Sequence, residues 1–178
     1  IGLSRSNNSG REGYSHFIKT DLFSRVDAQQ ALAGADLAVY LVHSMMPSAR
    51  LVQANFQDLD LLCADNFARA AAANGVRHII YVSGLIPQTG ALSPHLESRL
   101  EVEEVLASYD VPVTTLRAGM IVGGGGSSYQ ILSRLVQRLP AMVCPSWTNT
   151  KTQPVDLDDV VTVIGAARAT SSAGTVTD

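Results

Sequence analysis

The stretch Ile79-Ile80-Tyr81-Val82-Ser83-Gly84 decides the fold of this chain. Its apolar run predicts a strand that is buried in a sheet and ends at Ser83. A helix is predicted over residues 93–109, because the serine and proline at its start suit the N-cap and first helical position. This helix carries His95 and Arg99 four residues apart, and thus on one face. The pattern places a hydroxyl, an imidazole and a guanidinium near one strand end.

Strand and helix signals alternate along the rest of the chain. Strands are predicted at residues 1–5, 17–20, 37–42, 78–83, 113–116 (extending toward 122) and 174–178. Helices are predicted at residues 24–32, 52–70 with Gly75 closing the turn, 93–109, 129–139 and 156–168. Such alternation predicts an α/β fold with a parallel, doubly wound sheet, and the apolar run 37–42 predicts a strand buried on both faces.

Composition and charge narrow the class of protein. The 178 residues fit one domain, and a hydrophobic content of 46% predicts a sizeable core. With a net charge of −3 and no basic run, binding to nucleic acid or to an anionic membrane surface is not expected. No apolar stretch reaches the roughly 18 residues of a membrane span. Cys63 and Cys144 lack metal-ligand spacing, so we expect reduced thiols in a cytoplasmic protein.

Five blocks of sequence carry a resemblance to a known family. They are Leu41-Val42-His43-Ser44-Met45 and residues 75–83, 93–99, 111–119 and 154–160. In their order and spacing they resemble the extended and atypical short-chain dehydrogenase/reductases, in particular the NmrA-like and epimerase-like NAD(P)-binding proteins. The resemblance covers nearly the whole chain and implies a Rossmann-like fold.

Such a sheet is expected to begin with a strand, a glycine-rich turn and a helix that together hold the cofactor's phosphates. No counterpart of this unit is evident, and residues 1–5 resemble the second strand of the family. We therefore expect residues 1–178 to form a partial NAD(P)-binding domain of a larger protein.

The resemblance also implies a catalytic set. Ser83 would orient a substrate carbonyl, while His95 and Arg99 stand where the family has its proton-donating tyrosine and its lysine. An imidazole is able to exchange a proton near neutral pH, whereas a guanidinium holds its proton and serves as a hydrogen-bond donor, here to the cofactor ribose. The alternative is a surface helix face on which Arg99 pairs with Glu103 one turn later.

Residues after the first two strands are expected to meet the adenosine half of the cofactor. A cation at Arg5, with Ser6, favours the 2′-phosphate of NADP over NAD, although a solvated loop arginine is the alternative. By resemblance, Asp21 would accept from the adenine amino group and Leu22 would contact its ring. An aspartate at that position is equally suited to an Asx turn or a helix cap.

The ribose and nicotinamide side is expected to lie at the ends of two central strands. The residues implied there are Leu41, Val42, His43 and Ser44 on one side and Ala118, Gly119 and Ile121 on the other. For His43 an acid–base role is one interpretation, and a hydrogen-bonding role that shapes the pocket is the favoured one.

Three functions follow as hypotheses. The first is an NAD(P)-dependent oxidoreductase or epimerase-like enzyme acting on an unidentified small molecule. The second is an NADP-binding redox sensor or scaffold without turnover, which the histidine in place of tyrosine favours. The third, an accessory subunit of electron transport, rests on family analogy alone. The sequence leaves the substrate and the oligomeric state open.

Overall fold

The structure is a computed structural model that describes residues 1–6, 13–43, 56–87, 90, 92–123, 127–138, 153–168 and 176–177. The strands are β1 (Gly2–Ser4), β2 (Phe17–Lys19), β3 (Leu37–Tyr40), β4 (His78–Gly84), β5 (Val113–Ala118), β6 (Met120–Val122), β7 (Pro154–Asp156) and β8 (Val176–Thr177). The helices are α1 (Arg25–Ala31), α2 (Phe56–Ala73), α3 (Pro94–Ala107), α4 (Ser127–Arg138) and α5 (Leu157–Ala167). The predicted start of α2 near Val52 lies outside the described residues.

All paired strands of the described chain run parallel. The main sheet has the order β3-β4-β5-β8, while β1 pairs with β2 and β6 pairs with β7. In the main sheet Tyr40 lies opposite Tyr81, and Ser83 lies opposite Arg117. Parallel strands alternating with helices confirm the predicted doubly wound, Rossmann-like fold.

The larger core lies between the main sheet and the three helices α1, α2 and α3. Because side chains alternate along a strand, Ile79 and Tyr81 of β4 face these helices, whereas Ile80 faces α5 on the opposite side. The Tyr40 ring meets the Tyr81 ring at 5.8 Å between centroids and packs edge-on against Phe67 at 4.9 Å. These aromatic contacts join β3, β4 and α2 beneath the carboxyl edge of the sheet.

Strand β3 differs from its prediction in length and burial. It ends at Tyr40, and Leu41 and Val42 are exposed beyond it. Ala38 and Tyr40 are buried, but Val39 on the other face is 38% exposed. The expectation of a strand buried on both faces was wrong, because the described part of α5 packs on Ile80 and Leu116 and leaves Val39 uncovered.

An open region separates the β1-β2 pair from the main sheet. Among the described strands β1 pairs only with β2, and β3 pairs only with β4. Residues of both β1 and β3 line a cavity of about 1190 Å³. The Gly2 amide donates to His16 and the Ser4 carbonyl accepts from Thr20, so the backbone of the intervening Leu3 points away from β2.

Several predicted helix ends are confirmed by their hydrogen bonds. Ser24, Ser93 and Asp156 each cap a helix by accepting a backbone N–H with the side-chain oxygen. Gly75 takes a φ of +69° where α2 ends, a conformation that favours glycine.

The strand predicted over 113–122 is divided at Gly119. A Cβ atom there would collide with the backbone carbonyl of Gln153, which leads into β7. This close approach lets β6 pair with β7, a pairing that the sequence analysis did not anticipate.

Candidate active site at the carboxyl edge

Ser83 lies at the end of β4 beneath the start of α3. It is only 5% exposed, and its Oγ has no hydrogen-bond partner among the described residues. Helix α3 crosses the strand end so closely that a Cβ at Gly84 would approach the Leu96 side chain to 3.0 Å. The structure therefore brings Ser83 and the first turn of α3 together.

Arg99 of α3 points its side chain to the sheet. Its Nη1 donates to the phenol oxygen of Tyr81 at 3.4 Å, and that phenol donates in turn to the Arg99 carbonyl oxygen at 3.5 Å. The alternative, an exposed pair between Arg99 and Glu103, is wrong, because Glu103 binds Arg117 instead.

His95 lies in the first turn of α3 and is exposed. It stands one turn before Arg99, so the two side chains share a helix face. The charge of His95 is also close enough to His43 to affect that residue's pKa. The structure thus places His95 on the side of the helix that faces the end of β3.

His43 follows β3 and lies near Arg99 and His95 of α3. Although much of the residue is open to solvent, partial burial of its ring and then the nearby Arg99 guanidinium lower its pKa below the ordinary value of 6.5. The neutral imidazole is therefore favoured at neutral pH. The buried side chain of Asp60, on α2, has the opposite effect and raises the pKa of His43.

Two further residues of this region were missed by the sequence analysis. Tyr81 precedes Ser83 by two residues, so the period of a strand places both on one face, and this signal was available. Asp60 stands three residues before Cys63 on the buried side of α2. A carboxylate within an apolar helix stripe was a second usable signal.

Two polar groups of the cavity wall, the Cys63 thiol and the Tyr40 phenol, are uncharged. Burial raises the pKa of the Cys63 thiol to about 12 and raises the pKa of the Tyr40 phenol above its ordinary value. Cys63 is a free, buried cysteine as predicted, whereas Cys144 lies outside the described residues. Neither group is ionised near neutral pH, so neither is a nucleophile.

The predicted cofactor contacts follow three parallel strands. Those that line the cavity are Arg5 after β1, Asp21 and Leu22 after β2, and Leu41, Val42 and His43 after β3. The fold thus gathers, around one cavity, six residues from three segments that are far apart in sequence. Ser44 lies outside the described residues.

The remaining contacts have different surroundings. Asp21 accepts a hydrogen bond from the Phe23 amide at 3.1 Å, which is the Asx turn given above as the alternative. Its second carboxylate oxygen has no hydrogen bond to a described residue. Ser6 turns back toward β1, since its amide donates to the Ser4 hydroxyl at 3.3 Å, and it does not line the cavity.

Ala118, Gly119 and Ile121 lie on the other side of β4 from the cavity, where β5 passes into β6. The Leu85 amide donates to the Ala118 carbonyl at 3.2 Å and so continues the contact between the ends of β4 and β5. The structure does not bring these three residues into the cavity with the other six.

Residues 4–141 match the family model described as NAD(P)H-binding. Among curated proteins, the chain is 34% identical over 101 residues to the Auxiliary protein GraX of Staphylococcus aureus (strain NCTC 8325 / PS 47). That match covers 56% of this chain and 29% of GraX.

Solved structures show the same fold. The UDP-N-acetylglucosamine 4-epimerase from Bacillus cereus superposes with a TM-score of 0.71 at 17% identity, covering 98% of this chain and 65% of the epimerase. A double mutant of DesIV, the dTDP-glucose 4,6-dehydratase from Streptomyces venezuelae with NAD and DAU bound, gives 0.71 at 16% identity, covering 90% of this chain and 56% of that enzyme.

The chain spans less than two thirds of the length of each of these relatives. Among the described residues, none of the helices is both long and apolar enough to cross a membrane. The matched family model extends over most of the sequence and over the cavity-lining strand ends. The chain therefore belongs to the NAD(P)H-binding family and has a Rossmann-like fold similar to that of these epimerase and dehydratase structures.

Proposed function

We propose that the protein binds NADP, or NAD, across the cavity and the adjoining carboxyl edge, and acts as an NAD(P)-dependent oxidoreductase or epimerase-like enzyme on a small molecule. One observation carries the proposal. Residues that follow β1, β2 and β3 line one cavity, while Ser83 lies near the end of β4, the strand that pairs with β3, and Arg99 of α3 contacts the same strand. Such a strand edge is where open α/β sheets bind ligands.

The residues present fit the adenosine half of the cofactor. Arg5 supplies a cation for a 2′-phosphate, and this favours NADP over NAD. The second carboxylate oxygen of Asp21 is available to the adenine amino group, and Leu22 offers an apolar contact to the ring. The pyrophosphate calls for backbone N–H groups at a helix N-terminus, and the proposal assigns it to none of the described residues.

When bound, the cofactor supplies or accepts a hydride. The Ser83 hydroxyl, with no hydrogen-bond partner among the described residues, donates to the substrate carbonyl oxygen. His95, exposed in the first turn of α3, gives that oxygen its proton, and the neutral His43 shapes the pocket wall. Arg99 keeps its proton and hydrogen-bonds the ribose.

Titration of the whole protein with NADPH and NADH, followed by nicotinamide absorbance over a panel of aldehydes, ketones and nucleotide sugars, tests the proposal. We expect NADPH binding and turnover of at least one carbonyl class. Absence of binding to either dinucleotide would reject the proposal. A cytoplasmic location is part of it, in keeping with the free thiol of Cys63.

A second candidate is an NADP-binding sensor or scaffold of the NmrA-like kind. It is favoured by His95 and Arg99 standing where the family has tyrosine and lysine, and by the hydrogen bonds that already engage Arg99 with Tyr81. Tight NADPH binding without turnover across the panel would favour this candidate over the enzyme.

A further inference from the structure

Tyr81 is fully buried. Among the described residues, its hydroxyl forms hydrogen bonds with Arg99 only. That oxygen accepts from the Arg99 guanidinium and donates to the Arg99 backbone carbonyl. We propose that Tyr81 is a positioning residue that directs Arg99 to the carboxyl edge beside Ser83. The inference rests on the proposed function, in which Arg99 contacts the cofactor.

The phenol itself is held rigidly. Its ring packs against Tyr40, which lies opposite it in the register of β3 and β4. Phenylalanine would satisfy that packing equally well. Core packing therefore does not explain why this position carries a hydroxyl. The hydrogen bonds with Arg99 do.

Arg99 has a reason to need such a partner. Its long side chain has many rotamers, and the nearest carboxylate on its own helix face is Glu103. Glu103 is engaged from β5 by Arg117, and Tyr81 engages Arg99 from β4. Each arginine is thus bound across an interface between elements, and the Arg99–Glu103 pair within the helix does not form.

In this position Arg99 lies near the carboxyl ends of β3 and β4. Its guanidinium influences both Tyr40 and His43 of the neighbouring strand and its end. A guanidinium has five N–H donors, and Tyr81 uses one of them. Within the part of the chain that the structure describes, the other four donors have no hydrogen-bond partner and can serve a ligand at the ends of β3 and β4.

A double-mutant cycle on NADPH affinity of the whole protein tests the inference. Tyr81→Phe should weaken binding about three- to tenfold, the effect of losing one typical intramolecular hydrogen bond. In an Arg99→Ala background the same change should have less than about a twofold effect, because a positioning residue acts only through its target. Tyr109→Phe is the matched control, since it removes a hydroxyl bound to Asp65, away from the edge. Equal weakening by Tyr81→Phe in both backgrounds, or none in either, would overturn the inference.

A second measurement does not depend on the cofactor. In nitrogen-15 NMR of the unliganded protein, the Arg99 Nη1–H resonance should be dispersed and slow to exchange with water, because Nη1 donates to Tyr81, and Tyr81→Phe should move it to the position of exposed arginines. If it stays in place, Tyr81 does not position Arg99. If NADPH fails to bind the unmutated protein while this resonance shifts as expected, the proposed function fails and the positioning role stands.

Discussion

Arg117 of β5 donates to both carboxylate oxygens of Glu103 on α3, at 3.3 and 3.2 Å. Both side chains are less than one fifth exposed, so water screens this ion pair weakly. The pair joins α3 to β5 and removes Glu103 as a partner for Arg99. The direction in which the Arg99 side chain points thus depends on the Arg117–Glu103 ion pair, which lies outside the candidate site.

Glu103→Gln should lower the free energy of unfolding by about 2 kcal/mol, because Arg117 would then be a partly buried charge without its counter-ion. Urea denaturation at neutral pH measures this change. Glu104→Gln is the control, since Glu104 is the exposed neighbour on the same helix, and it should change stability by less than about 0.5 kcal/mol. Equal effects of the two substitutions would contradict the assigned role of the pair.

Gly119→Ala should destabilise the protein by about 2 kcal/mol or more, because the new methyl group would meet the Gln153 backbone carbonyl, which has little freedom to move. Thermal unfolding reports the loss. Gly165→Ala is the matched comparison, since a Cβ there meets nothing within 4 Å. Within helix α5 it should add about 0.5–1 kcal/mol of stability. A neutral Gly119→Ala would mean that β6 and β7 are not so closely paired.

Stability should fall as the pH drops below about 6.5, in part because of His78. This histidine is buried, its Nε2 lies 2.9 Å from the Thr114 hydroxyl, and burial lowers its pKa. The unfolded chain therefore binds a proton at a higher pH than the folded one. The stability from neutral His78 is complete above the unfolded pKa and is lost as the pH falls from there toward the folded pKa.

Urea denaturation at pH 8 and at pH 5.5 would measure this dependence in the unmutated protein, in His78→Gln and in the exposed control His16→Gln. We expect a smaller pH dependence in His78→Gln only. The lowered pKa of His43 acts in the same direction, so His78→Gln should reduce the dependence without abolishing it. An unchanged dependence would show that the pKa of His78 does not differ between the folded and unfolded states.

Arg5→Ala should reduce the preference for NADPH over NADH by about 1–2 kcal/mol, the range of a lost charge-assisted contact to a phosphate. Calorimetric titration of the whole protein with each dinucleotide gives the difference. Arg25→Ala, at an exposed residue that begins α1 outside the cavity lining, should leave the preference unchanged. Equal affinities of the unmutated protein for the two dinucleotides would reject the role of Arg5.

His95→Gln should abolish an ionisation from the pH profile of turnover and leave NADPH affinity within about threefold, because glutamine keeps hydrogen-bonding groups but cannot exchange a proton. Arg99→Ala should do the reverse, weakening NADPH binding before it affects the chemical step. Steady-state rates between pH 5 and 9 distinguish the two. An unchanged rate and pH profile in His95→Gln would remove His95 from catalysis.

The local sequence pattern was sufficient to predict most helices and strands of the fold. The apolar run ending at Ser83, the caps at Ser24 and Ser93, and the glycine after α2 each depend on residues close in sequence. Where β3 ends and whether its second face is covered depend on distant elements, and there the prediction was wrong. The division of one strand at Gly119 likewise depends on Gln153, more than thirty residues away.

The sequence by itself determined the parallel α/β class and the positions of polar residues just after each strand, because strand period, capping chemistry and strand ends are local properties. Only the tertiary structure decided how these residues combine. It gathered Arg5, Asp21 and His43 around one cavity. It also bound Arg99 to Tyr81 and Glu103 to Arg117, in place of the helical pair that spacing alone allowed. The physical reason is that side-chain partners are chosen by position in space, where a buried phenol and an arginine of two sheet strands lie within hydrogen-bond reach of the helix.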